Sequence, residues 1–131
     1  MRFLILSLIF IFGYSPLAYS SIESAKQIAV RGSKNISKTK SKKLAVKQYK
    51  KEIERIRSLN RKTRRMEFVF MVQLKMAADA MKNQKITSRN CKTRIDALNE
   101  EFVPQNFTGK YPPIQPVVEL TNSLCGRLAK R

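Results

Sequence analysis

The sequence predicts an all-α protein: a small helical bundle with a disulfide-stapled C-terminal helical hairpin and a long basic helix, following a cleaved signal peptide. Three observations carry that prediction. Residues 44–84 contain neither proline nor glycine, so no backbone breaker interrupts a helix there. Apolar residues recur at spacings of three and four in several segments, which is the helical period. Two cysteines, Cys91 and Cys125, flank a proline-containing loop at equal distance from its centre.

The chain opens with the layout of an export signal. Arg2 supplies positive charge, Phe3 to Phe12 is apolar except for Ser7, and Gly13 to Pro16 break that run. Ala18-Tyr19-Ser20 then offers small residues where a signal peptidase reads them, so residues 1–20 read as signal and Ser21 as the mature N-terminus. The apolar run is shorter than the roughly 20 residues of a membrane span. The alternative is a membrane-anchored form held through residues 3–19, because Lys26, Arg31 and Lys34 disfavour moving that flank across a membrane. The predicted location is the periplasm or the outside of the cell.

Residues 21–32 predict a short helix, with Ser20 or Ser21 as cap, Glu23 in the first turn, Ile22, Ile28 and Val30 as apolar contacts, and Gly32 as its end. Residues 33–43 are rich in Ser and Lys with a single Ile36, and read as a basic linker. The domain proper is 44–131, with helices over about 44–62, 64–84, 88–102 and 116–130. In the first, Tyr49, Ile53 and Ile56 share a face, but Asn60 to Arg65 is polar throughout. A straight helix over 44–84 would be about 60 Å long, so either a bend near Asn60 to Thr63 or a protruding basic end is expected. In the second, Val69, Phe70, Val72, Leu74, Met76, Ala77, Ala80 and Met81 fill an arc of roughly 200° on the wheel, opposite Glu67, Lys75, Asp79 and Lys82. Such width predicts a central core helix with neighbours on two sides. Thr87 or Ser88 caps the third, which carries the stripe Cys91, Ile95, Leu98 and Phe102 and stops at Pro104. A loop with Phe107, Tyr111 and Ile114 leads to the fourth, whose stripe is Val117, Leu120, Leu124 and Leu128, with Val118, Thr121 and Cys125 beside it.

The loop centres near Thr108, with Cys91 and Cys125 each 17 residues away. In an antiparallel hairpin those positions stand at the same height, and both point inward from apolar stripes. An even cysteine count in an exported chain reads as a disulfide, here Cys91 to Cys125.

Composition argues against catalysis. The chain has no histidine, so Ser–His and Cys–His pairs are excluded, and two cysteines alone are too few for zinc. Glu52 and Glu54 face apart on a helix, as do Glu100 and Glu101. Ser37-Lys38-Thr39-Lys40 matches a Ser-x-x-Lys pattern without its supporting motifs and reads as chance. No enzyme activity, cofactor or metal is expected.

Charge is the strongest remaining signal. The full chain carries +18, and 34–65 holds 14 Lys or Arg against Glu52 and Glu54. Such a block concentrates polyanions. The expected function is an exported, non-enzymatic binding module for an anionic surface or polymer: envelope polymer, lipid headgroups or nucleic acid. The candidate contacts are Lys42, Lys43, Lys47, Lys50, Lys51, Arg55, Arg61, Lys62, Arg64 and Arg65. Nucleic acid is not favoured, since Tyr49 is the sole aromatic in the block and base stacking needs more. The alternative is an accessory or structural subunit of an envelope or secreted assembly, meeting an acidic protein. Asn35-Ile36-Ser37 and Asn106-Phe107-Thr108 match the glycosylation acceptor pattern, which matters only in a pathway that glycosylates.

Overall fold

Ser21 is the first described residue of the computed structural model, which covers 21–60 and 65–131. The expected signal peptide, 1–20, lies outside that range. Five α-helices and no strand occur among the described residues: α1 Ser21–Ser37, α2 Lys42–Arg57, α3 Arg65–Met81, α4 Cys91–Phe102 and α5 Gln115–Ala129. The chain is all-helical as expected, and Cys91 is bonded to Cys125 with their Cα atoms 5.8 Å apart.

The first correction concerns Gly32. It does not end α1, which continues to Ser37 and takes in half of the expected linker. The reason is tertiary. α1 turns Ser21, Ala25, Ala29, Gly32 and Ile36 inward at spacings of four, four, three and four. This stripe of mostly small side chains lets neighbouring backbones come close. A Cβ on Gly32 would lie 2.7 Å from Cγ of Glu52 on α2 and 2.8 Å from Cδ2 of Leu120 on α5. The larger residues expected to anchor α1 lie elsewhere: Ile22 and Ile28 are half-buried and Val30 is exposed.

α1, α2 and α5 form the core. α2 runs back along α1, so that Ser21 Oγ donates to the carbonyl of Asn60 just beyond the end of α2. α5 runs alongside α1 in the same direction: Leu120 meets Gly32, and Arg127 Nε donates to Thr39 O at 2.9 Å. The three faces supply Ile36, Ile53, Ile56, Val117, Leu120 and Leu124, all essentially inaccessible.

α2 starts at Lys42, where Ser41 caps it by accepting from Leu44 N at 3.2 Å. It ends at Arg57, with the Ser58 N–H turned back to Glu54 O at 3.0 Å. The proline- and glycine-free run is therefore two helices. Asn60 to Arg65 offers no apolar side chain to bury, and a helix without tertiary packing is marginal.

α3 is not the central helix. Its buried face is Met71, Leu74, Ala77, Ala78 and Met81, while Val69 and Met76 are more than half exposed. It lies against the end of the core made by the start of α1 and the end of α2. Arg57 pairs with Asp79 at 2.9 Å, and Lys75 Nζ donates to Leu59 O. The expected neighbours on more than one side are present, since α3 touches each of the other helices, but they cover less than its apolar arc, because such an arc records what a helix can bury and not what reaches it.

α4 begins at Cys91 instead of at 88. Thr87 and Asn90 satisfy one another: Thr87 N donates to Asn90 Oδ1 at 2.7 Å and Asn90 N to Thr87 Oγ1 at 3.2 Å. These side chains close the turn before the helix and do not cap it.

One polar pair sits inside the core. The Tyr49 and Thr121 hydroxyls meet at 3.0 Å, both buried. Burial pushes the Tyr49 phenol up to about 12, with the Thr121 contact acting the other way. A raised phenol favours the protonated fold, so its stabilisation is whole below pH 10 and is lost as pH rises from 10 to 12. Alkaline titration should therefore lower stability by about 2–3 kcal/mol across that window. Tyr49→Phe should lose about 1 kcal/mol at pH 8 with the hydrogen bond, yet fall less above pH 10. Denaturant melts of both proteins at pH 8, 10 and 11.5 check this. Parallel declines would show that Tyr49 is not the responsible group.

Candidate functional site

The expected polyanion contacts are distributed unequally. Lys42, Lys43, Lys47, Lys50 and Lys51 are exposed along α2. None of the five makes a salt bridge among the described residues. They stand outside because Ala45, Tyr49, Glu52, Ile53 and Ile56 face in. Arg55 is also exposed, but its Nη1 is bound to Glu52 Oε1 at 2.8 Å. Arg61, Lys62 and Arg64 lie outside the described residues, as does the side chain of Arg65, whose backbone opens α3.

The fold removes Glu52 from the surface, where it is completely buried. Its Oε1 accepts from Gln48 Nε2 at 2.7 Å and from Arg55, while Oε2 has no hydrogen-bond partner among the described residues. The spacing could have revealed this: Glu52 lies three residues after Tyr49 and four before Ile56, on the buried seam. Glu54 remains outside, bound to Arg57 at 2.6 Å. Both acids of the basic block are thus turned inward or already paired.

Tertiary packing also brings the basic last turn of α5 to the Lys-rich turn between α1 and α2. The turn 38–41 joins α1 to α2, and Arg127 binds its Thr39 carbonyl. Exposed Lys38, Lys40, Lys42 and Lys43 therefore share one end of the molecule with the last turn of α5. The first turn of α2 contains no acid, so its positive dipole end adds to that potential.

A second feature went unseen in the sequence. The start of α1, the middle of α3, the 103–114 loop and the start of α5 enclose a groove of about 520 Å³. Its walls are largely apolar and include Ile22, Val30, Phe70, Leu74, Phe107 and Tyr111. Phe107 meets Phe70 edge-on, with ring centroids 6.0 Å apart. Gly109 makes room for the Phe107 ring, because a Cβ there would lie 2.5 Å from it. Of the three loop residues expected to anchor, Ile114 is buried, Phe107 is half-buried and Tyr111 is exposed. The loop's aromatic content was the available signal. What it packs against was not readable.

No family model, curated protein or solved structure matches this chain. Among the described residues, no three His, Cys, Asp or Glu side chains converge as a metal ion would require. No helix there is long and apolar enough to cross a membrane.

Proposed function

We propose that this is an exported, non-enzymatic module that binds an anionic surface or polymer through the outer face of α2 and the adjoining basic segment 61–65. The observation that carries the reading is the row Lys42, Lys43, Lys47, Lys50 and Lys51, exposed and without carboxylate partners among the described residues, on a helix that buries its own Glu52. Lysines paired internally would have little field left to offer. Unpaired ones attract a polyanion and release its counterions on contact. Residues 1–20 act as the export signal in this reading, and a disulfide accords with an oxidising compartment. A chain without histidine, whose acids are scattered, supports binding in preference to catalysis.

On a heparin-like matrix the protein should be retained to high salt. Replacing the five lysines with glutamine should bring elution well forward. For a nucleic-acid ligand, each lysine withdrawn from a phosphate should reduce the slope of log affinity against log salt by about 0.7–0.9. Substituting Lys82, Lys85, Lys92, Lys110 and Lys130, an equal charge removed elsewhere, should move elution less. Equal shifts for the two variants would reduce the reading to net charge alone and defeat it.

A second reading, an accessory subunit of an envelope or secreted assembly, is favoured by α3. Phe68, Val69 and Met76 are about half exposed on one helix, and scattered apolar residues rarely cluster so without a partner. Cross-linking in the native compartment should then trap a defined complex through 66–81. A protein recovered only as monomer would count against it.

A further inference from the structure

The groove contains no residue of α2, so it stands apart from the basic face. Its volume falls within the range of about 300–1,000 Å³ typical of small-molecule sites. The walls are apolar, but the rim is not. Lys26 Nζ lies 5.1 Å and Lys110 Nζ 5.5 Å from the centroid of the Tyr111 ring. One lysine comes from α1 and the other from the loop, so only the fold brings these ammonium groups to the same ring.

Two acids stand nearby. Glu119 on the lining accepts from the neutral amide of Gln115 at 3.4 Å and keeps its negative charge. Glu23 pairs with Lys26 at 3.5 Å, with both side chains nearly half exposed, where such pairs are weak and exchange readily. Lys110 makes no salt bridge among the described residues.

We propose that this groove binds a long-chain carboxylate, with the tail along Ile22, Val30, Phe70 and Phe107 and the carboxylate between Lys26 and Lys110. Lys110 selects the head group, because it has no carboxylate partner among the described residues, with Lys26 beside it held only by the half-exposed Glu23. A cationic head would meet these ammonium groups, and the Tyr111 ring that would otherwise attract it already faces both. A neutral head would gain nothing from them. The apolar wall selects the tail, because a polymer of repeated anionic groups would bury no apolar surface there. The concave form suits a single chain in preference to a bilayer, which needs projecting apolar side chains.

The test is calorimetric titration of the disulfide-bonded protein with dodecanoate and decanoate below their micelle concentrations, beside dodecyltrimethylammonium. Dodecanoate should bind one to one, about tenfold tighter than decanoate, as two methylenes imply. Dodecyltrimethylammonium should bind at least tenfold more weakly. Lys26→Glu with Lys110→Glu should weaken dodecanoate at least tenfold while the melting temperature stays close to wild type. Val30→Glu, at an exposed position on the groove wall, provides the second variant and should weaken it similarly. The five-lysine α2 variant should bind dodecanoate like wild type even if its heparin retention is abolished, which separates the two readings. The proposal is overturned by equal affinity for the cationic amphiphile or by no dependence on chain length. Insensitivity to both groove variants, or uptake only into anionic vesicles with no binding of the monomer, would overturn it as well.

Discussion

Cys125→Ser, or reduction of the native protein, should lower stability by roughly 3–4 kcal/mol, the largest single effect expected in this molecule. The bridge closes a loop with a sequence separation of 34, and the chain-entropy model assigns about that much to a loop of this length. The local packing makes the dependence sharper. α4 buries only Cys91, Leu98 and Phe102 of its 12 residues. Without the covalent tie, those three side chains and the half-buried Ile95 must hold a helix too short to persist alone. The melting temperature should fall by about 10–20 °C in a domain of this size. Hydrogen exchange should show 91–102 losing protection first, with the core of α1, α2 and α5 still closed. A loss below about 1 kcal/mol would mean that α4 is held by packing after all. Native protein whose two thiols alkylate without reduction would contradict the bridge itself.

Gly32→Ala and Gly126→Ala should act in opposite directions although both glycines lie within helices. Alanine is favoured over glycine in a helix interior by about 1 kcal/mol. At Gly126 a Cβ would meet nothing within 4 Å, so that preference should appear as about 0.5–1 kcal/mol of added stability. At Gly32 the new carbon would lie 2.7 Å from Glu52 Cγ and 2.9 Å from Glu52 Cδ. Glu52 is fully buried and bound to Gln48 and Arg55, so its stem has nowhere to retreat. Overpacking of this kind costs about 1–3 kcal/mol, which outweighs the propensity gain. Gly32→Ala should therefore destabilise by about 1–2 kcal/mol, and Gly32→Leu by more than about 3. Urea denaturation of the three variants decides between these effects. A stabilised Gly32→Ala would show that α1, α2 and α5 do not pack as closely as described.

The same residues explain where sequence reading succeeded. The stripes Cys91, Ile95, Leu98 and Phe102, and Val117, Leu120, Leu124 and Leu128, recur at helical spacing, and all of them are buried except Ile95, which is half-buried against the core. The symmetric cysteines needed only a hairpin between them, and they are bonded. Large side chains bury most area each, so their period marks a face. The errors arose where that link fails. In α1 the inward stripe is made mostly of Ala, Gly and Ser, which carry almost no hydrophobic signal. Its value lies in how closely the backbones can approach. In α3 the signal was strong, yet half of it went uncovered.

The candidate sites divide along the same line. The helical period and the lysine positions of α2 were enough to set out its exposed basic row, because a regular helix places residues by arithmetic. The all-helical class and the cysteine pairing were likewise determined by local pattern. Tertiary structure alone decided that α1 and α5 pair at the centre, that Glu52 packs against Gly32, and that Lys26 and Lys110 meet at Tyr111 above an apolar groove. Each of these depends on the distance between residues far apart in the chain. Those distances follow from which surfaces pack most closely, and small residues and loop geometry settle that without leaving a periodic trace.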